Sequence, residues 1–178
     1  MKRRDIIIIV AIALGIFLVT RLVIQNFVVE GISMQPNLST GQWILVNKVV
    51  YRISPPERGD IVVFNNPWGS KNRTPVLIKR VIGLPGETVR IENGSIYIDN
   101  DLLDESEYIT VAIHNNQNGT WELDADDYFV LGDNRNSSSD SSENDELPGS
   151  NIIGRAWLRI YPFGDWGFAP NYRPVLPE

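Results

Sequence analysis

No cysteine occurs among the 178 residues, which excludes disulfides, thiolate metal sites and a cysteine nucleophile. Histidine is nearly as scarce. The single one, His114, lies in the polar, turn-rich stretch AIHNNQNGTW with nothing nearby to orient an imidazole, so it reads as a solvated loop residue and a Ser-His-Asp hydrolase is set aside. Positive charge is in deficit as well, with 16 Lys and Arg against 22 Asp and Glu, net -6. The first 24 residues hold four cations and one acid, net +3, so the remainder carries -9 and does not suit a nucleic-acid partner. Internal repeats are absent, and helical periodicity of useful length is missing after residue 30.

What is present begins with a long apolar run. MKRRD precedes IIIIVAIALGIFLVTRLVI, and the 19 residues from Ile6 to Ile24 approach the roughly 20 that a helix needs to cross a bilayer. Arg21 near its end can extend a guanidinium to the headgroups. Lys2, Arg3 and Arg4 predict a cytoplasmic N-terminus, which puts the other ~150 residues on the far side of the membrane. A cleaved secretory signal would need small residues just after the apolar core, and the A-x-A pattern at Ala11 to Ala13 falls inside it. The expectation is an anchor with its cytoplasmic tip over residues 1–26 and an extracytoplasmic domain over 27–178, in which about 88–127 forms a small variable β region.

That domain reads as mostly β. Runs rich in Val, Ile, Tyr and Trp, punctuated by Gly, Pro, Asn and Asp, give strands at QWILVNKVVY, DIVVFNN, VLIKRVIG, TVRIENG, SIYID, TWELDADDYFVLG and IIGRAWLRIYP. Asn93-Gly94 between alternating strands marks a hairpin. The fold class expected is therefore a single transmembrane helix followed by a folded antiparallel β-sheet or barrel. The N-x-S/T triplets at Asn72, Asn93 and Asn118 carry little information. NSSSDSSENDELPGS has the composition of a solvated loop, and the aromatic stretch RIYPFGDWGFAPNY favours core packing over contact with lipid.

Without cysteine or a usable histidine, a serine hydrolase needs another base. A lysine with the ordinary pKa near 10.4 has fewer than about one in a thousand molecules neutral at pH 7, but burial lowers that value by up to ~3–5 units. In PVLIKRVIGLPG, Lys79 shares a strand face with Leu77 and Val81, while Arg80 faces the other way with Ile78 and Ile82. Two cations in such a run are costly unless each is paired or functional, and an exposed strand end is the plain alternative. Ser33, in VVEGISMQPNLSTGQ just beyond the apolar run, reads by itself as a turn residue, with a nucleophile as the alternative.

Taken in order, the anchor, SMQP at Ser33 to Pro36, RGDIVVF at Arg58 to Phe64, KRVIGLPGE at Lys79 to Glu87 and GDNRNSSSDS at Gly132 to Ser141 resemble a bacterial type I signal peptidase. That family comprises membrane-anchored Ser/Lys endopeptidases that remove signal peptides from exported proteins. The resemblance runs through almost the whole chain and implies that Ser33 is the nucleophile and Lys79 the general base. It implies that Ser138 orients the lysine and Asp140 supports the same corner. Met34, Pro36, Arg80, Asp133 and Arg135 would be structural motif positions, with Arg80, Asp133 and Arg135 forming an ion-pair set. No metal or organic cofactor is implied.

The sequence departs from the family pattern twice. Ser142 stands where arginine commonly follows the Asp-Ser pair, so Asp140 is expected to pair with Arg135 instead. Gly31 stands where some members carry an oxyanion-hole serine, which leaves the hole to backbone groups, the Ser33 N–H first. Expected partners are precursors with an A-x-A site, the lipid bilayer and, nearby, the secretion machinery. The membrane would be the plasma membrane or an internal bacterial one. Two alternatives stay open: a membrane-tethered β binding module or inactive homologue, and a self-cleaving Ser/Lys repressor-type protease, which would carry a DNA-binding module in place of the anchor.

Overall fold

The computed structural model describes residues 3–69, 75–114 and 117–176. Lys2 of the basic N-terminus and the triplet at Asn72 lie outside them. Helix α1 (Arg3–Val23) has 21 residues and a mean hydropathy of 2.9 over its most apolar window, and none of that window is buried in the protein. At 1.5 Å per residue it is about 31 Å long, the thickness of a hydrocarbon core. Ile24, the last residue of the apolar run, opens strand β1 (Ile24–Val28), so helix passes into strand without a linker and residues 24–26, expected within the anchor, belong to the β body.

The body is antiparallel β, like the expectation. The larger sheet runs in the order β1, β2 (Trp43–Asn47), β11 (Ile152–Tyr161), β3 (Ile61–Asn65), β4 (Val76–Gly83), β9 (Asp127–Leu131), β10 (Leu147–Pro148), with β12 (Gly167–Phe168) pairing β11. A second sheet, inserted in the chain between β4 and β9, orders β7 (Asp101–Leu102), β6 (Ser95–Ile98), β5 (Thr88–Glu92) and β8 (Gly119–Glu122). Asn93 and Gly94 both have positive φ, 50° and 81°, as a two-residue hairpin turn between β5 and β6 requires. The stretch TWELDADDYFVLG is two strands rather than one, because the turn at Ala125–Asp126 carries the chain from one sheet to the other.

Two register facts position the site. β4 pairs with β3 from Val76 to Arg80, but β9 joins its other edge only from Arg80 onward, so residues 76–79 have one free edge. β1 pairs only with β2 among the described residues. The two unpaired edges line one cleft of about 280 Å³, so the curled sheet is a barrel left open at this seam.

The aromatic stretch near the C-terminus overturns the core-packing expectation. Phe163, Trp166 and Phe168 are 76%, 67% and 71% exposed, and Trp43 and Tyr161 join them at about half exposure. Tyr172 differs, stacking on the buried Tyr108 ring. One core cluster is aliphatic, led by Ile44, Val46, Ile61 and Val63, and the aromatics that are buried, among them Phe64, Tyr108 and Phe129, come from outside the C-terminal stretch.

Candidate active site

Residues 31–36 form a turn held at both ends. Met34 is buried in the core and its carbonyl accepts from the Leu38 N–H, while the Gly31 carbonyl accepts from Thr40 Oγ1. From the opposite side the Asn134 N–H donates to the Ser33 carbonyl at 2.9 Å and Asn134 Nδ2 to that of Ile32 at 3.2 Å. Ser33 is thereby fixed by its backbone, with its side chain half-buried. Its own N–H donates to no acceptor among the described residues, and Pro36 lies exposed on the outer side of the turn.

Strand alternation on β4 sends Lys79 and Arg80 to opposite faces. Lys79 is 3% exposed and its Nζ lies 2.7 Å from Ser33 Oγ. Burial pushes its pKa down to about 8, against the attraction of the Asp140 and Asp133 carboxylates, which favours the ammonium. At pH 7 about a tenth of such a lysine is neutral. A neutral Nζ at this distance can take the Ser33 proton as Oγ attacks a carbonyl.

Arg80 is fully buried and fully partnered. Its Nε and Nη2 donate to the two oxygens of Asp133, both at 2.8 Å, Nη1 donates to the Gly59 and Pro170 carbonyls, and the guanidinium lies 4.2 Å from the centre of the Tyr108 ring. Asn37 Nδ2 adds a 2.8 Å bond to Asp133 Oδ2, tying the Ser33 turn to the same carboxylate. The charge next to the lysine is thus neutralised on the face away from the cleft.

The third side comes from the loop after β9. Asp140, 2% exposed, accepts from the Gly132 N–H at 2.9 Å and from Ser142 Oγ at 2.7 Å. The expected pairing of Asp140 with Arg135 gives way to another arrangement. Arg135 is held by both oxygens of Glu105, from the turn after β7, and donates to the Gly132 carbonyl, while Ser142 itself serves Asp140. Arg80, Asp133 and Arg135 accordingly lie in two ion pairs, Arg80 with Asp133 and Arg135 with Glu105. Ser138 Oγ is buried beside Gly132 and forms no hydrogen bond, so no bond to Lys79 is made in this structure.

Gly132 explains how close this packing is. A methyl group built on it would come within 2.2 Å of Ser138 Oγ and 2.5 Å of the Ser33 carbonyl oxygen, so only glycine lets the two segments meet. Reasoning from sequence missed Gly132, Asn37, Tyr108, Glu105 and Asn134 as contributors. Asn134 stood inside a quoted motif, but Glu105 had no signal at all. His114 is exposed, its N–H donating to Asn136 Oδ1. No cluster of three or more metal-binding side chains exists among the described residues.

Residues 3–161 match the protein family described as "Signal peptidase, peptidase S26". The chain is 41% identical over 171 residues to "Signal peptidase I" of Leptolyngbya laminosa, with 89% of this chain and 83% of that protein covered. It is 35% identical to "Signal peptidase I" of Bacillus caldolyticus, covering 82% and 84% of the two chains. A crystal structure of a signal peptidase I from Enterococcus faecalis V583 is 32% identical over 56% of this chain and 95% of that one, with a TM-score of 0.47.

Proposed function

This chain belongs to the signal peptidase family, peptidase S26, and from that membership we propose that its serine endopeptidase activity is carried by Ser33 as nucleophile and Lys79 as general base. Removal of signal peptides from precursor proteins is the activity of the family, and this chain shares it. The 2.7 Å contact between Ser33 Oγ and a lysine held near pKa 8 is the observation that carries the assignment of roles.

In the proposed cycle neutral Lys79 takes the Ser33 proton while Oγ bonds to the scissile carbonyl carbon, and the unengaged Ser33 N–H faces the developing oxyanion. The Lys79 ammonium then gives its proton to the leaving amine, the acyl-enzyme forms, and neutral Lys79 activates water to release it. Asp140 and the Arg80–Asp133 pair position the lysine's strand and set its field. The free Ser138 hydroxyl stands beside the turn as a lysine-orienting group available once Nζ leaves Ser33.

The substrate lies extended in the seam between β1 and the free half of β4, adding a strand to both edges, and presents small residues at the first and third positions before the cut. The length and composition of α1 support a single-pass anchor with its basic end in the cytoplasm and the β body outside, near the secretion machinery. The exposed aromatics Trp43, Tyr161, Phe163, Trp166 and Phe168 seat that body on lipid. The test is cleavage of an A-x-A precursor by the detergent-solubilised chain. Wild type cuts after the second small residue, while Ser33→Ala and Lys79→Ala do not; cleavage surviving in Ser33→Ala removes the assignment.

A further inference from the structure

From Phe27 in β1 to Glu30, two residues beyond it, side chains alternate between two environments. Phe27 packs on the core and Val29 is 1% exposed, whereas Val28 and Glu30 point outward. Val28 and Glu30 both line the cleft that holds Ser33 and Lys79. Those last two aside, its walls are apolar or neutral, so Glu30 is the one exposed charge among its described lining residues. The Glu30 carboxylate makes no hydrogen bond and no ion pair among the described residues, although it stands three positions before Ser33.

An extended peptide seated in this seam has the same period of two as the strands beside it. In the proposed binding mode its small first and third side chains before the cut turn to the inner wall; the second then turns outward, to the side of Val28 and Glu30. A charge met there is felt as an unscreened neighbour at low salt and weakly at high salt.

We infer that Glu30 sets the enzyme's preference at the second position before the cleaved bond, favouring a cationic residue there and disfavouring an acidic one. This rests on the endopeptidase reading of the cleft and adds to it a substrate class, small-basic-small. Glu30 is a specificity-determining residue here, acting on the substrate side chain and not on the reacting atoms.

The experiment uses the full chain in detergent and three peptides that differ only at the middle residue, A-K-A, A-Q-A and A-E-A. For each enzyme, kcat/KM is expressed relative to its own A-Q-A value. Wild type is expected to rank Lys above Gln above Glu by about threefold per step at ~0.01 M salt, the size of an exposed charge pair, and to lose most of that spread at ~1 M. Glu30→Gln flattens the ranking and Glu30→Lys reverses it. An unchanged ranking in both variants, or no charge preference in wild type that still cuts A-Q-A, overturns the inference while leaving the peptidase intact. Failure of wild type on all three peptides overturns the endopeptidase reading itself, and the inference falls with it.

Discussion

At the scale of single residues, Lys79 is governed by two opposed effects, and their balance is measurable. Burial favours the neutral amine, and the Asp140 and Asp133 carboxylates favour the ammonium. The base form gains as pH rises, so kcat/KM is expected to climb through a limb centred near pH 8. Asp140→Asn removes an attraction for the ammonium and moves that limb to lower pH; pH-rate profiles of the two proteins check it, and coincident limbs would sink the account. The sign for stability follows from the same shift. Between about 8 and the ordinary lysine value near 10.4 the unfolded chain binds more protons than the folded one, so stability rises with pH across that window. Ser33 and Lys79 could be singled out in the sequence because chemistry demanded a nucleophile and a base that cysteine and histidine did not supply. Glu105 could not, because its contact with Arg135 joins segments thirty positions apart and leaves no local pattern.

Among the elements, β4 does the most to build the site. Its eight residues were legible with their observed bounds because VLIKRVIG is a β-branched run of strand length ending at glycine. What could not be read was the set of carbonyls and rings that the Arg80 side chain meets. Arg80 loses all contact with water and makes four donations within the protein instead, so removing it strands the Asp133 carboxylate in the interior. Arg80→Ala is expected to cost about 3–5 kcal/mol in denaturant unfolding. Arg90→Ala, which breaks a pair with the exposed Glu92, is expected to cost less than about 1 kcal/mol; equal losses would contradict the reading. β1 went unread because Ile24 still belongs to the apolar run and the five residues IQNFV show no clear period of two, and hydropathy does not mark where a helix becomes a strand.

For the whole molecule, the aromatic residues change what the surface is for. Val28 on β1, Trp43 on β2 and Tyr161 on β11 are register partners in succession, so the exposed rings continue directly from the cleft wall. Phe163→Ser/Trp166→Ser/Phe168→Ser is expected to slow cleavage of a bilayer-embedded precursor several-fold and to leave a short soluble peptide unaffected. Equal rates for mutant and wild type on the embedded precursor would return these residues to no role in membrane seating. Composition alone favoured a buried cluster here, since it counts rings without saying which side of a β-sheet they occupy.

Val23 ends α1 and Ile24 begins β1, so the tether has no slack. With α1 in the bilayer, five residues of rigid ladder and one short turn fix the offset between the membrane and the Ser33 hydroxyl. In the proposed single-pass arrangement the enzyme is expected to act as a caliper, cutting where a precursor's own chain, leaving the same lipid, reaches that set distance, and selecting cut sites by length as well as by the shape of their side chains.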